Sequence, residues 1–117
     1  MRVIFAALVC VLVGCGADDP SILIVSAPVD TSDTQGPYIV EVIPNAPDGV
    51  FELRLELSFL DTPELFEEPE TGETWRGSIP GQPAGTRVEW FVELVESGGS
   101  IVREPQDGTL SFTILSL

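Results

Sequence analysis

From Phe51 to Phe59 apolar and polar residues alternate without a break: Phe51, Leu53, Leu55, Leu57 and Phe59 against Glu52, Arg54, Glu56 and Ser58. Period two marks a strand with one buried face and one wet face, whereas a helix would scatter the same five apolar side chains around its circumference. All five are therefore expected in the core. Thr86 to Glu96 repeats the pattern over a longer span, with Val88, Trp90, Val92 and Leu94 inward and Arg87, Glu89, Glu93 and Glu96 outward. Phe91 and Val95 fall on the outer side of this strand. They are expected either to form a partner surface or to lie under a long loop.

Shorter segments follow the same rule. Tyr38 to Ile43 is β-branched and stops at Pro44, and Asp48-Gly49 is a hairpin-type turn signal. Thr74 to Ile79 reads as a strand with Trp75 and Ile79 on one face. It ends in the Pro/Gly turn Pro80 to Gly85. Ser97-Gly98-Gly99-Ser100 is a turn, Ile101 to Arg103 a short strand, and Leu110, Phe112 and Ile114 alternate in a final one. Two stretches stay open. Ser21 to Val25 is either a first strand or part of a tether that runs to Gly36, with Ala27 to Pro37 rich in turn residues. Leu65-Phe66, inside the acidic connection from Leu60 to Glu73, is either an edge strand or a plug over the core. No segment has helical periodicity. The expectation is one all-β domain, an antiparallel sandwich over residues 37–117, with a small barrel as the alternative.

The first residues have a different pattern. After Met1-Arg2, residues Val3 to Val13 form an apolar run of 11. A spanning helix needs about 20, so the run reads as the core of an export signal. It ends in Leu12-Val13-Gly14-Cys15, which resembles the lipobox of bacterial lipoproteins. That resemblance implies cleavage between Gly14 and Cys15 and attachment of diacylglycerol to the Cys15 sulfur. Cys10 is a poorer acceptor because bulky Val9 precedes it. Residues 1–14 would then be a signal peptide and 15–36 a lipidated tether. The alternative is an ordinary secretory signal without lipid. Gly16 follows the cysteine where an aspartate often marks inner-membrane retention, so outer-membrane placement is favoured in a two-membrane envelope.

Charge narrows the choice of partners. The chain of 117 residues has 19 acidic residues and 5 arginines, with no lysine or histidine, for a net charge of −14. Nucleic-acid binding needs a positive footprint, so that class is set aside. An anionic lipid surface would repel the domain, which leaves a lipid on Cys15 as the membrane attachment. With no histidine, no lysine and no thiol after Cys15, nucleophilic triads, Schiff bases and zinc sites lack their residues. No catalytic residue and no cofactor is expected. Only carboxylate chemistry remains, and a carboxylate-dependent enzyme is the least favoured reading. Among the acidic loop residues, Asp61, Glu64, Glu67 and Glu68 (with Asp30, Asp33 and Asp48) are oxygen ligands suited to calcium, without an EF-hand pattern. Trp75 and Trp90 could serve as a carbohydrate platform, but their strand positions point to core packing.

The run Trp75-Arg76-Gly77-Ser78-Ile79-Pro80-Gly81-Gln82-Pro83-Ala84-Gly85-Thr86-Arg87-Val88-Glu89-Trp90 resembles bacterial extracellular immunoglobulin-like and fibronectin type III-like domains. In these a strand ending in Ile-Pro passes through a Pro/Gly turn to Gly-Thr-x-Val and a long strand. The resemblance implies an immunoglobulin-like sandwich and leaves function open. The combined expectation is an exported, lipid-anchored, non-catalytic binding or structural module that meets an envelope protein or glycan. A secreted adaptor or inhibitor without lipid is the alternative.

Overall fold

The computed structural model describes residues 19–117; the expected signal peptide and its Gly14–Cys15 junction lie outside the described residues. The strands are β1 (Ser21–Ser26), β2 (Tyr38–Asn45), β3 (Val50–Leu57), β4 (Glu64–Leu65), β5 (Trp75–Ile79), β6 (Arg87–Glu96), β7 (Ile101–Glu104) and β8 (Leu110–Thr113). They form two antiparallel sheets. One has the order β1-β2-β5; the other has β4-β3-β6-β7, with β8 also on β6. The fold is thus an all-β sandwich. The constant-type immunoglobulin order places strands 1, 2, 5 and 4 on one sheet and 3, 6 and 7 on the other. Here β4 joins β3 instead of β5; β1, β2, β5, β3, β6 and β7 keep that order, and β8 is an additional strand on β6.

The run for which strand and tether stood open is a strand. Ser21 pairs with Asn45 and Ile24 with Val42, and Ile22 is buried in the core. The two sheets therefore include residues well before Gly36.

The core is the set of inward side chains the alternation picks out. Val40 and Val42 of β2 and Ile79 of β5 face Leu53 and Leu55 of β3, Val88, Trp90, Val92 and Leu94 of β6, and Phe112 and Ile114 at the C-terminal end, all essentially inaccessible to solvent. Burying a large aliphatic or aromatic side chain contributes about 1.5–3 kcal/mol, so these positions supply most of the force that closes the sandwich. Tyr38 packs edge-on against Phe112, with ring centroids 5.1 Å apart.

Three expectations about facing are corrected. Phe51 is 71% exposed and Phe59 36% exposed, although they share the phase of Leu53, Leu55 and Leu57. At Phe51 the cause is a register shift between Val50 and Glu52, where the strand takes an extra residue against β6. Such a bulge breaks the inward–outward alternation locally. At Phe59 the strand has already ended, since the Leu60 amide donates back to the Leu57 carbonyl in a turn. Glu96 is the third case. It keeps the phase of Leu94 and is buried at 3% exposure, with its Oε2 accepting the Asp48 amide at 3.0 Å. A carboxylate at this inward position anchors the β2–β3 turn to the end of β6, so the turn amide is satisfied without water.

Both side edges of the sandwich are crossed by the chain. After β1, Thr31 makes a parallel bridge to Ile114 on the opposite sheet, donating to the Thr113 carbonyl and accepting from the Leu115 amide. At the other side the chain leaves β4 on the β3 edge and reaches β5, where Glu67 and Arg76 exchange backbone hydrogen bonds. Phe66, between the two, points into the core. Leu65-Phe66 is therefore both of the alternatives: Leu65 lies in the short edge strand, and Phe66 is the plug. Its ring lies where a Cβ at Gly77 would come within 2.9 Å, so the plug and that glycine fit only together.

Gly81 meets the same kind of constraint at the far end. A Cβ there would strike the carbonyl groups of Gln35 and Thr34. The two loops are joined by Tyr38, whose hydroxyl donates to the Asp33 carbonyl at 2.6 Å and accepts from the Gln82 amide at 3.2 Å. Gly81→Ala is expected to lower unfolding stability by about 1–3 kcal/mol through overpacking, and Tyr38→Phe by about 1 kcal/mol. Because both act on one loop contact, urea titration of the double variant should give less than the sum of the two losses.

Candidate functional site

The outer face of the larger sheet holds the residues first singled out for partner binding. On this face β3 contributes Glu52, Arg54 and Glu56, β6 contributes Phe91, Glu93 and Val95, and β7 contributes Ile101 and Arg103. Phe91 is half-buried because the Arg103 guanidinium lies over its ring, 3.7 Å from the centroid. The same guanidinium donates from Nε to the Pro105 carbonyl at 3.0 Å and from Nη2 to the Gly108 carbonyl. Arg103 thus fastens the Pro105–Thr109 loop, which interrupts the edge between β7 and β8, onto the sheet. Phe91 is the platform of that clamp. Val95, also half-buried, sits between Glu52 and Ile101 in register.

Arg54 neutralises the neighbouring carboxylates. Its guanidinium bonds Glu52 and lies 3.3 Å from Glu93. The hydrogen bond that Arg54 donates to Glu52 holds the arginine above its ordinary pKa. Solvent-exposed pairs of this type contribute little stability. Their effect is to make this face a mosaic of paired charges over two clamped apolar residues.

The carboxylates considered for calcium are not brought together. Asp61 is exposed in the loop after β3, and Glu64 is in β4. Glu67 faces Arg76 across the backbone bridge. Glu68 stands on the rim beyond it, beside Glu70, Glu41 and Arg76. Among the described residues no three carboxylates are placed to hold one metal ion.

The two tryptophans have different positions. Trp90 is a core residue, and its buried indole Nε1 has no hydrogen-bond partner among the described residues. Trp75 is half-buried at the mouth of the sandwich, where it lines a groove with Phe51, Leu53, Leu65 and Phe66, bordered by Glu52 and Glu68. Leu65 is 58% exposed there. Sequence reasoning missed this groove because alternation assigned Phe51 to the core. The bulge that turns Phe51 out has no signature in the residues themselves. The extra residue after Asp48-Gly49 becomes visible only when β3 is aligned with β6.

Compared with known proteins, the chain matches no family model and no curated protein. Any functional argument therefore rests on the sequence and on the surface of the described residues.

Two outcomes follow from the geometry. Arg103→Ala removes the stacking and both carbonyl contacts, and chemical denaturation should show a loss of about 1–2 kcal/mol. Because no carboxylate cluster is assembled, a calcium titration followed by chelation should leave the melting temperature unchanged, whereas ligand at a hundred times its Kd would add about 2.7 kcal/mol.

Proposed function

We propose that the chain is an exported bacterial lipoprotein, held in the envelope by diacylglycerol on Cys15, whose sandwich acts as a non-catalytic binding or structural module. The observation that carries this reading is Leu12-Val13-Gly14-Cys15 at the end of an 11-residue apolar run that follows Arg2. The charge supports it: at −14 the domain has no basic surface that could hold it at an anionic bilayer. Two or more acyl chains, each methylene contributing about 0.8 kcal/mol, anchor stably where one is marginal.

The start of β1 at Ser21 gives the anchor a length. Six peptide units separate Cys15 from Ser21, a reach of about 20 Å when fully extended. The end of the sandwich that carries Ser21 also carries the β2–β3 turn, where the Asn45 side chain donates to the Asp19 carbonyl at 3.1 Å. In this reading that end faces the bilayer, and the Pro80–Gly85 turn is the distal end. Gly16 after the cysteine favours the outer membrane where a cell has two.

Cys15→Ser tests the reading. The wild-type chain is expected in the detergent-soluble membrane fraction with a mature N-terminus heavier by its lipid, and the variant in the soluble fraction, uncleaved or unmodified. Equal partitioning of the two proteins, or an unmodified Cys15 by mass spectrometry, favours the secreted adaptor instead.

A further inference from the structure

The groove at the mouth of the sandwich has three properties found together nowhere else among the described residues. The first is an open strand edge. On the side of β3 away from β6, β4 opposes only Arg54 and Leu55, and the Phe66 amide reaches the Leu53 carbonyl at 3.0 Å. From Val50 to Glu52 that edge has no backbone partner among the described residues. Unpaired strand edges are templates for another chain, and proteins ordinarily cover or charge them.

The second property is apolar surface beside that edge. Phe51 is 71% exposed and Leu65 58% exposed, and Trp75 is only half-buried. The three side chains come from β3, β4 and β5, so the depression they line lies across the gap between the two sheets. The third is an excess of negative charge along one rim, where four carboxylates outnumber one cation, Arg76. Glu68 borders this groove and also the adjoining depression that holds Glu41, Glu67 and Glu70. None of these four carboxylates forms an ion pair among the described residues, in contrast to Glu52, Glu89 and Glu93, which each hold an arginine.

We propose that this edge binds an extended segment of a partner protein in which apolar residues alternate with lysine or arginine. The segment would add as a strand along Val50–Glu52. Backbone hydrogen bonds to the open edge supply affinity that is independent of sequence, and alternate side chains supply specificity. Those on one side of the added strand enter the groove against Phe51, Leu65 and Trp75. Long basic side chains beside them reach Glu68 on the rim of the same groove. Charge complementarity selects the occupant: with 19 acidic residues and no lysine, the domain repels an acidic peptide and a second copy of itself alike. The proposal does not depend on the lipid, since the groove is formed by the sandwich alone.

The test is a nuclear magnetic resonance titration of the full chain, expressed with its leader and purified in detergent. The probes are a blocked hexapeptide of alternating leucine and lysine and its leucine–glutamate counterpart. Shift changes should concentrate on the amides of Val50 to Leu53 and on the Trp75 indole, with no response to the glutamate peptide. Phe51→Asp and Glu68→Lys should each weaken binding by about tenfold, as loss of an apolar anchor and of a rim charge do. Both side chains are exposed, so the spectrum of each variant should otherwise match the wild type. Asp61→Lys, the same change of charge away from the groove, should alter binding by less than about twofold. Shifts spread evenly over the acidic surface, equal weakening by Asp61→Lys, or no shift at this edge at millimolar peptide overturns the proposal.

Discussion

The structure depends on one strand being saturated on both sides. β6 pairs along its length with β3 on one edge and with β7 and then β8 on the other. Its inward row, Val88, Trp90, Val92 and Leu94, is the floor on which the second sheet rests. A ten-residue strand in the middle of a sheet cannot slip by one residue without moving that whole row to solvent. The register of the larger sheet is therefore fixed by burial, and the turns adapt to it. Trp90 illustrates the strength of this constraint. Its indole is held in the core although Nε1 finds no acceptor among the described residues, so the area the ring removes from water outweighs a donor that ordinarily seeks a partner.

The sandwich has no disulfide among the described residues to tie its sheets, and the chain itself ties them. The Thr31 bridge to Ile114 closes one side, and the crossing from Leu65 through Phe66 to Glu67 closes the other. Both crossings require close approach, which is why Gly77 and Gly81 stand where any side chain would meet a ring or a carbonyl. The closure is incomplete along the β3 edge. β4 is two residues long, so it covers the middle of the β3 edge and leaves the start of β3 open beside Phe51.

Charge follows a division of the same kind. Arg54 and Arg103 are engaged within the outer face of the larger sheet, one with carboxylates and one with an aromatic ring and two carbonyls. The acidic connection between β3 and β5 has one arginine, Arg76, beside it and forms no ion pair among the described residues, so negative charge is in excess along the mouth of the sandwich. Such an excess repels anionic surfaces and favours encounter with cationic ones.

The alternation in Phe51–Phe59 and Thr86–Glu96, together with the Pro/Gly turns, sufficed to identify the all-β sandwich, its longest strand and most of its core. Period two is a local property, and burial of one face is its direct consequence. The same local rule misplaced Phe51, Phe59 and Glu96, because a bulge, a strand end and a turn amide in need of an acceptor are set by neighbours distant in the chain. It also left Ser21 to Val25 and Leu65-Phe66 ambiguous, since a short apolar run becomes a strand only if a partner edge is free to receive it. The proposed export and lipidation signal at residues 3–15 is a linear pattern, so it rests on the sequence alone and lies outside the described residues. The open edge beside Phe51, Leu65 and Trp75 exists only in the folded chain. It joins three strands whose proximity is decided by sheet order, and no local pattern encodes that.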